Sequence, residues 1–527
     1  MKLDILLLLL MVLAGAGAVA FRRLRPETGE SAPRRKGSVL AAILLVAGSW
    51  FAYNLACWYG KVYGSVGFDA VLYTLTGNLT GTDPELFRSC MGYLLKNLPV
   101  CLAFLALLLY SGKKTLMLRR SGRKVYPLSN RGMMVASTVL ALVLLWSAAV
   151  KVELVDYIQM RLNASNLYEE EYRHPEDVTI TFPEEKRNLI YIFMESLETT
   201  FFSETEGGAL PENVIPELYQ LAENNVNFSE NDGVGGFSQT IGTTWTIGAM
   251  VGQTAGIPLK TPPTVGMNDY GTREAFLPGV LGITNVLRDA GYNQSLLMGS
   301  DGTFGGRTAY FESHGVTVCD LFTAYEEGIV PDQYNNDFWG MEDKYLYEYA
   351  KQKIQQMAAE EAPFAVSLLT VDTHFPDGYV CDLCEDTYDE QYENVYRCAS
   401  RQVADFVAWI QQQDFYENTT IVISGDHLTM DAGYMSRIGA DDSIRRVYNC
   451  FINAAAEPVQ EKNRQMSTFD MYPTTLAAMG CTIEGDRLAL GTNLFSGEPT
   501  LLERYGEERF QQEVGRYSAY YVNNFYE

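Results

Sequence analysis

The sequence predicts an α/β protein in which an N-terminal bundle of four transmembrane helices precedes an extracytoplasmic domain with a central, mostly parallel sheet between helices. Three observations lead to this fold class: four long apolar runs near the N-terminus, a reversal of charge near residue 151, and short apolar β runs that alternate with helical patterns downstream. The chain of 527 residues also exceeds what one hydrophobic core normally supports. At least two folding units are therefore expected.

The four apolar runs predict a transmembrane anchor over residues 1–151. Each run approaches the ~20 apolar residues that cross a bilayer core. They cover residues 5–21, 39–59, 93–110 and 133–150. The first run has the length of a signal-peptide core, but it is almost without the basic residues that precede such a core, and Arg22, Arg23 and Arg25 follow it instead. A retained anchor is the preferred interpretation.

Charge divides the chain at the same point. Residues 1–151 hold 18 basic and 6 acidic residues, a net of +12, whereas 152–527 hold 22 basic and 59 acidic residues, a net of −37. The basic residues concentrate in segments 22–36 and 111–132, which the positive-inside rule places in the cytoplasm. Four spans then leave the acidic region outside the cell membrane. Nucleic acid is excluded as a partner, because phosphate neutralisation needs a basic surface.

Beyond the anchor, apolar β runs alternate with helical patterns. The β runs are 188–194, 294–298, 364–369, 420–424 and 447–452, and the helical patterns include 213–224, 278–290, 342–359 and 399–413. This alternation is typical of a parallel sheet covered on both faces, and such sheets carry their chemistry at the carboxyl ends of the strands. The polar, acidic stretch 152–187 is predicted as a linker between the last span and the first strand.

Charged and imidazole side chains follow three of the β runs. Glu195 comes directly after the first run, Asp426 and His427 after the fourth, and His374 lies shortly beyond the third. Carboxylate oxygens with one imidazole suit Mn²⁺, Mg²⁺ or Zn²⁺. The alternative is that the acids merely cap the loops or helices that follow. The coincidence at three strand ends favours a metal site.

A segment rich in glycine and hydroxyl groups, 235–246, completes the candidate site. Glycine lets the backbone approach a phosphate closely, and a hydroxyl on a metal loses its proton more easily and becomes a nucleophile. Composition does not decide which threonine attacks. The candidates are Thr240, Thr243, Thr244 and Thr246.

The ordered motifs resemble those of a known family. They comprise Asn188–Glu198, Gly242–Met250, Asp372–Gly378, Gly425–His427, Asp470–Leu476 and Gly491–Ser496. Together they are similar to the phosphoglycerol transferases of the alkaline phosphatase/sulfatase superfamily, above all to the phosphoglycerol transferase I type, with the lipoteichoic acid synthases as near relatives. The resemblance implies a sulfatase-like catalytic domain over 188–500 and a C-terminal extension over 501–527.

The resemblance also implies roles for individual residues. Glu195, Asp426 and His427 match the ligands of one divalent metal ion, with Mn²⁺ expected and Mg²⁺ or Zn²⁺ as alternatives. Thr243 matches the threonine nucleophile, which also touches the metal. His374 matches the histidine that contacts the substrate phosphoglycerol.

The segment Phe304-Gly305-Gly306-Arg307 resembles the stretch that binds glycerol phosphate in the lipoteichoic acid enzymes. Arg307 matches its arginine, and a guanidinium there grips phosphate bidentately. Gly305 stands where those enzymes have tryptophan. A plain surface role for Arg307 is the alternative.

The function that the resemblance implies is transfer of glycerophosphate from phosphatidylglycerol in the membrane to a glycan or polyglycerol-phosphate acceptor, through a covalent threonine ester. The alternatives are phosphoethanolamine transfer, phosphodiester or sulfate ester hydrolysis, and a catalytically inactive ectodomain that binds glycans. Sulfate hydrolysis is disfavoured, because the one match to the sulfatase motif, Ser31–Arg35, lies on the predicted cytoplasmic side.

The remaining cysteines and histidines receive structural interpretations. Cys381, Cys384 and Cys398 follow His374, and outside the cytoplasm they predict a disulfide whose pairing is open. His314 is predicted to be a structural histidine.

Overall fold

The computed structural model describes residues 24–26, 35–64, 68–76, 84–110, 116–118, 124–125, 130–260, 276–330, 339–440 and 443–526. The chain forms two compact units. The first unit is Met1–Tyr59 with Pro84–Lys151, and the second is Gly60–Asp83 with Val152–Glu527.

Helices and strands are numbered separately along the chain. The helices are α1 (Lys36–Val62), α2 (Phe68–Thr76), α3 (Pro84–Tyr110), α4 (Asn130–Lys151), α5 (Leu154–Leu162), α6 (Leu167–Glu171), α7 (Pro216–Asn224), α8 (Thr246–Ala255), α9 (Ile283–Asp289), α10 (Arg307–Ser313), α11 (Leu321–Glu326), α12 (Asp343–Ala358), α13 (Gln391–Gln411), α14 (Ala432–Arg437), α15 (Met471–Ala478), α16 (Leu501–Tyr505), α17 (Glu507–Gly515) and α18 (Ala519–Tyr521). The strands are β1 (Leu24–Pro26), β2 (Leu116–Leu118), β3 (Lys124–Val125), β4 (Ile180–Thr181), β5 (Asn188–Met194), β6 (Gly236–Phe237), β7 (Asn293–Met298), β8 (Thr317–Cys319), β9 (Phe364–Leu369), β10 (Thr419–Gly425), β11 (Val447–Ile452), β12 (Thr482–Ile483), β13 (Arg487–Leu488) and β14 (Gly491–Thr492).

The first unit contains the apolar helices. In the described part of the chain, three helices are long and apolar enough to cross a membrane: Lys36–Val62, Leu86–Ala106 and Arg131–Lys151. They coincide with the second, third and fourth predicted spans, whereas the first predicted span, 5–21, lies outside the described residues. Leu44 in the first of these helices and Leu142 in the third expose 64% and 63% of their surface. The chain is a membrane protein.

The second unit is built on a seven-stranded sheet with the order β6-β11-β10-β5-β9-β7-β8. Four neighbouring pairs, from β10 through β5, β9 and β7 to β8, are parallel. The pairs β10–β11 and β11–β6 are antiparallel. The predicted mostly parallel sheet is thus confirmed, and the four predicted strands within the parallel part end at one edge.

Strand β5 shows why its sequence is apolar at almost every position. Alternate residues enter two different cores: Leu189, Tyr191 and Phe193 pack in one hydrophobic cluster, and Ile190, Ile192 and Met194 pack in the other. A strand covered on both faces needs apolar side chains on both. The sheet therefore lies between two helical layers, as the α/β fold class predicts.

The interval 152–187 differs from the predicted linker, because it contains α5 and α6 and packs into the second unit. Tyr168 is fully buried, and its ring lies 6.0 Å from Tyr520 and 5.8 Å from Phe525. Phe510 and Phe525 in the predicted C-terminal extension are also buried. The acidity of 152–187 predicted a solvated linker. Its aromatic side chains instead pack against residues near the C-terminal end of the sequence, and such long-range contacts cannot be read from the local sequence.

Candidate functional site

Glu195 is held at the end of β5 by two threonines that follow β9. Its backbone N–H donates to Thr370 Oγ1 (2.9 Å), and the Thr373 hydroxyl donates to its carbonyl oxygen (2.6 Å). The next residue, Ser196, has a left-handed backbone (φ 56°), which is uncommon outside glycine and concentrates at functional sites. Ser196 also donates its hydroxyl to Glu195 Oε1 (2.8 Å). These contacts aim a buried carboxylate at the sheet edge.

Asp426 and His427 follow the neighbouring strand β10. Asp426 Oδ1 accepts the backbone N–H groups of Ser196 and His427, each at 2.7 Å, while Oδ2 is buried and makes no hydrogen bond with any described residue. His427 Nδ1 lies 2.8 Å from the Leu428 carbonyl oxygen, which can only accept. Nδ1 therefore carries the proton, and in a neutral ring Nε2 presents its lone pair to the acids.

The three side chains converge on one point. His427 Nε2 lies 3.6 Å from Glu195 Oε1 and 3.4 Å from Asp426 Oδ2, and one ligand atom from each residue lies within 4.8 Å of the others. All three side chains are buried. Two carboxylates and an imidazole without a cation would be an unfavourable cluster, so the donor set fits a divalent ion.

Electrostatics at the cluster point the same way. Burial raises the pKa of Glu195 above its ordinary value, and the charge of Asp426 raises it further. Burial alone would lower the pKa of His427, but the charges of Asp426 and Glu195 outweigh it and raise this pKa. Both shifts show a site with excess negative charge in a low-dielectric environment, which a metal ion would neutralise.

The threonine that faces this cluster is Thr246. Its Oγ1 lies 3.4 Å from Glu195 Oε2 and 3.5 Å from His427 Nε2. It is the first residue of α8, so the unpaired N–H groups of the first helical turn lie beside it. A hydroxyl, a carboxylate, an imidazole and a helix N-terminus thus meet at one position.

Thr243, the residue expected as nucleophile, lies elsewhere. Its side chain is fully buried, and its Oγ1 is occupied by the Thr240 N–H (3.1 Å), the Thr240 carbonyl oxygen (2.9 Å) and the Thr468 hydroxyl (3.1 Å). Its Cγ2 packs against α8, where a Cβ on Gly252 would come within 2.8 Å. The structure therefore assigns the position beside the cluster to Thr246, because α8 begins one helical turn later than the Thr243 assignment requires.

The charge of Glu195 acts on both Arg307 and His374. Burial lowers the pKa of each side chain, and the Glu195 carboxylate opposes that shift. Arg307 begins α10 and is buried; its Nε donates to the Phe304 carbonyl oxygen (3.0 Å) and its Nη2 to that of Asp301 (2.7 Å). Its other three N–H groups donate to no described residue. Burial lowers the pKa of His374, whose ring stacks on Phe375 with centroids 4.9 Å apart.

The matched family agrees with this geometry. Residues 187–481, more than half of the chain, match the family model described as Sulfatase. The chain belongs to the sulfatase family. The seven-stranded sheet and the cluster of Glu195, Asp426 and His427 lie within the matched range.

Several relatives within this family carry the name phosphoglycerol transferase I. Those of Salmonella choleraesuis and Escherichia fergusonii are each 29% identical over 87% of this chain and 57% of their own length. The chain thus spans little more than half the length of these curated relatives. The lipoteichoic acid synthase LtaP from Listeria monocytogenes is a similar solved structure, with 18% identity, a TM-score of 0.48, and coverage of 60% of this chain and 79% of that one.

The sequence predicted the grouping of Glu195, Asp426 and His427 but not the residues that support it. Thr370 and Thr373 hold the Glu195 backbone. The side chain of Gln239 accepts the Leu428 N–H at 2.8 Å, which connects segment 235–246 to the residues that follow β10. No pattern in the sequence marks them. For Thr246 a signal existed: it begins the apolar helical run that ends at Gly256, and a helix start is where an anion is bound.

The structure also describes the predicted disulfide cysteines and His314. Cys381 Sγ lies 3.7 Å from Cys384 Sγ and 3.8 Å from Cys398 Sγ, so either pairing is within reach. His314 is buried, with Nδ1 at 2.6 Å from the Tyr310 carbonyl oxygen and Nε2 at 3.2 Å from that of Val280. Both ring nitrogens are occupied by the backbone, in agreement with a structural role.

Proposed function

We propose that the chain is a membrane-anchored, metal-dependent phosphoglycerol transferase that moves glycerophosphate from phosphatidylglycerol to an extracytoplasmic glycan or polyglycerol-phosphate acceptor. The observation that carries this proposal is the Thr246 hydroxyl at the start of α8, beside Glu195 and His427. The names of the 29% identical relatives support phosphoglycerol as the group transferred.

Thr246 is proposed as the nucleophile of a two-step transfer. First, its oxygen bonds to phosphorus while the bond from phosphorus to the diacylglycerol oxygen breaks, and diacylglycerol leaves as an alcohol after taking up a proton. Then an acceptor hydroxyl bonds to phosphorus, the threonine ester breaks, and Thr246 regains a proton. Splitting the reaction in this way replaces one difficult displacement by two easier ones.

Glu195, Asp426 and His427 are proposed to hold one divalent ion, Mn²⁺ in the first instance, with Mg²⁺ or Zn²⁺ as alternatives. Such an ion polarises a phosphate oxygen and favours the deprotonated threonine. The first N–H groups of α8 add partial positive charge for the same phosphate. Thr243 is fully buried and its hydroxyl bonds to Thr240 and Thr468, so it is assigned neither role.

His374 and Arg307 are proposed to handle the substrate. The lowered pKa of His374 keeps its ring neutral near neutral pH, so it can accept or pass on a proton at the leaving oxygen. The Arg307 N–H groups that donate to no residue in the described part of the chain match the oxygens of a phosphodiester. The charge of Glu195 acts on both groups, which supports a shared role at one phosphate.

An extracytoplasmic orientation is part of the proposal. Residues 60–83, which join two of the apolar helices, belong to the same compact unit as 152–527. Two segments of one folded unit lie on one side of a membrane. This agrees with the positive-inside assignment, which leaves both segments outside and the basic segments 22–36 and 111–132 in the cytoplasm.

The test uses the full chain purified in detergent with Mn²⁺ and phosphatidylglycerol labelled in its glycerol headgroup. Metal-dependent release of diacylglycerol, with label passing to a glycan or glycerol-phosphate acceptor, is the expected result. Parallel reactions contain phosphatidylethanolamine or an aryl sulfate. Turnover of either in place of phosphatidylglycerol would assign the same site to phosphoethanolamine transfer or sulfate hydrolysis, and no turnover of any donor would favour a binding role.

A further inference from the structure

The segment that joins α1 to α3 is folded into the second unit. Residues 60–83, which we call the inter-span segment, cluster with 152–527. Its helix α2 buries Ala70, Val71 and Tyr73. The ring of Phe68 also lies 5.0 Å from that of Tyr157 on α5. A connection that served only to link two membrane helices would not need these buried contacts.

Helix α2 contacts both ends of the loop that leads to Thr246. Asp69 and Gly242 line the same cavity. Burial raises the pKa of Asp69, and a hydrogen bond from the backbone of Gly242 opposes that shift. The ring of Tyr73 lies 5.2 Å from the ring of Trp245, at an interplanar angle of 36°. Gly242 and Trp245 stand four residues and one residue before Thr246, so two side chains of one helix fix the path of this loop.

The same Tyr73 reaches the turn before Arg307. Its hydroxyl donates to the carbonyl oxygen of Gly305 at 2.6 Å. Gly305 has φ 67°, and a Cβ there would lie 3.2 Å from Ile247 Cγ2 on α8, so glycine suits this turn. Tyr73 thus bridges the loop of the proposed nucleophile and the loop of the proposed phosphate-binding arginine.

A third site loop is contacted at the start of the inter-span segment. The ring of Tyr63 packs edge-on against Phe375, with centroids 5.2 Å apart, and Phe375 stacks on His374. The inter-span segment therefore contacts Trp245, Gly305 and Phe375. These residues lie one or two positions from Thr246, Arg307 and His374, the three residues proposed to act on the substrate.

We infer that the inter-span segment is a working part of the site, with Tyr73 and Asp69 as positioning residues that hold the loops of Thr246 and Arg307. Neither residue touches the reacting atoms. Their effect is to fix two loops relative to each other, and small misplacements of reacting groups are costly. The site is complete only when the inter-span segment is packed against these loops. The expected effect on turnover rests on the proposed function.

The first experiment measures loop order directly, by hydrogen exchange on the full chain in detergent. In Tyr73→Phe, the peptide covering 304–307 is expected to exchange about two- to tenfold faster, the size of one lost hydrogen bond, whereas 242–246 is expected to exchange as before because the ring contact with Trp245 is kept. Tyr292→Phe is the matched control, because Tyr292 is also 6% exposed and donates to a backbone carbonyl, that of Arg187, at 2.8 Å. Equal exchange of the 304–307 peptide in the two variants would overturn the inference, whether or not the chain turns over any lipid.

The second experiment separates the two loops by steady-state kinetics with phosphatidylglycerol. Tyr73→Phe is expected to raise KM about two- to tenfold, because it loosens the Arg307 turn, with kcat unchanged. Asp69→Ala is expected to lower kcat through the Thr246 loop, and Asp69→Asn, which keeps an accepting oxygen, to restore it. A Tyr73→Phe enzyme with the kinetics of Tyr292→Phe would refute positioning, whereas a wild-type chain inactive on this lipid would refute only the proposed function.

Discussion

The carboxyl ends of β5 and β10 and the loop before α8 supply the two halves of the candidate site, and they position their side chains in different ways. In the sheet, Met194 pairs with Gly425, so the residues that follow, Glu195 and Asp426, emerge side by side. Before α8, Thr243 and Thr246 lie one helical turn apart, and only the start of the helix decides which one faces the cluster. The position of a side chain at a strand end can be predicted from the sheet register. The position of a side chain where a loop passes into a helix depends on the residue at which the helix begins, which the sequence does not fix.

The largest expected effect tests the loop half of this comparison. Thr246→Val should lower transfer by about 10⁴-fold or more, because it keeps the shape but removes the nucleophilic oxygen. Thr243→Val should keep transfer, losing stability by about 1–3 kcal/mol, since it leaves the buried Thr240 N–H without its acceptor.

Mass spectrometry of the wild type and of the same two variants, after reaction with phosphatidylglycerol, identifies the residue that carries the covalent adduct. A glycerophosphate adduct is expected on the peptide of Thr246 in the wild type and in Thr243→Val, and is expected to be absent in Thr246→Val. An adduct on Thr243, or one that persists in Thr246→Val, would return the nucleophile to the position that the family resemblance first suggested.

Much of the fold could be predicted because the sheet strands are buried on both faces. The run Asn188–Met194 was apolar at nearly every position, and its bounds, like those of β9 and β11, agree with the structure. The convergence of Glu195 and Asp426 could be predicted for the same reason, since both residues mark strand ends. What could not be predicted depends on long-range packing: Tyr168 against Tyr520, and Tyr73 against Gly305, join segments hundreds of residues apart.

The next effect tests the sheet half of the comparison. Glu195→Gln should weaken Mn²⁺ binding by more than about 100-fold, since loss of even an outer-shell partner costs 10- to 100-fold. The matched control is Glu204→Gln, which removes one negative charge from an exposed position. Isothermal titration calorimetry measures both. Equal affinities would mean that long-range charge, rather than ligation at the end of β5, accounts for metal binding.

A smaller effect is expected at Arg307, which the resemblance predicted and the structure places near the cluster. Arg307→Lys should raise KM for phosphatidylglycerol about tenfold with little change in kcat, because lysine keeps the charge but loses the planar fork. Arg288→Lys, at an exposed arginine beside Asp289, is the control. An unchanged KM, with a lower melting temperature, would show that Arg307 serves only to hold the carbonyl groups of Asp301 and Phe304.

The smallest expected effect is a pH dependence of metal-free stability, and it separates the two halves of the site without any substrate. The pKa of Glu195 is raised in the folded chain, by burial first and by Asp426 second. A proton on Glu195 therefore stabilises the metal-free fold, fully below the unfolded pKa of about 4.3, and this contribution is lost as pH rises through the raised value. Mn²⁺ replaces the proton, so it should raise the melting temperature more at about pH 7.5 than at about pH 5.

Three variants decide whether this pH dependence belongs to the cluster. Glu195→Gln cannot lose the proton, so its melting temperature should show less dependence on pH without metal and a smaller gain with it. Thr246→Val and Thr243→Val keep all three ligands and should retain the wild-type dependence. If Thr246→Val flattened the profile as Glu195→Gln does, the hydroxyl at the start of α8 would be part of the titrating group, and the strand ends and the helix start would act as one unit rather than two.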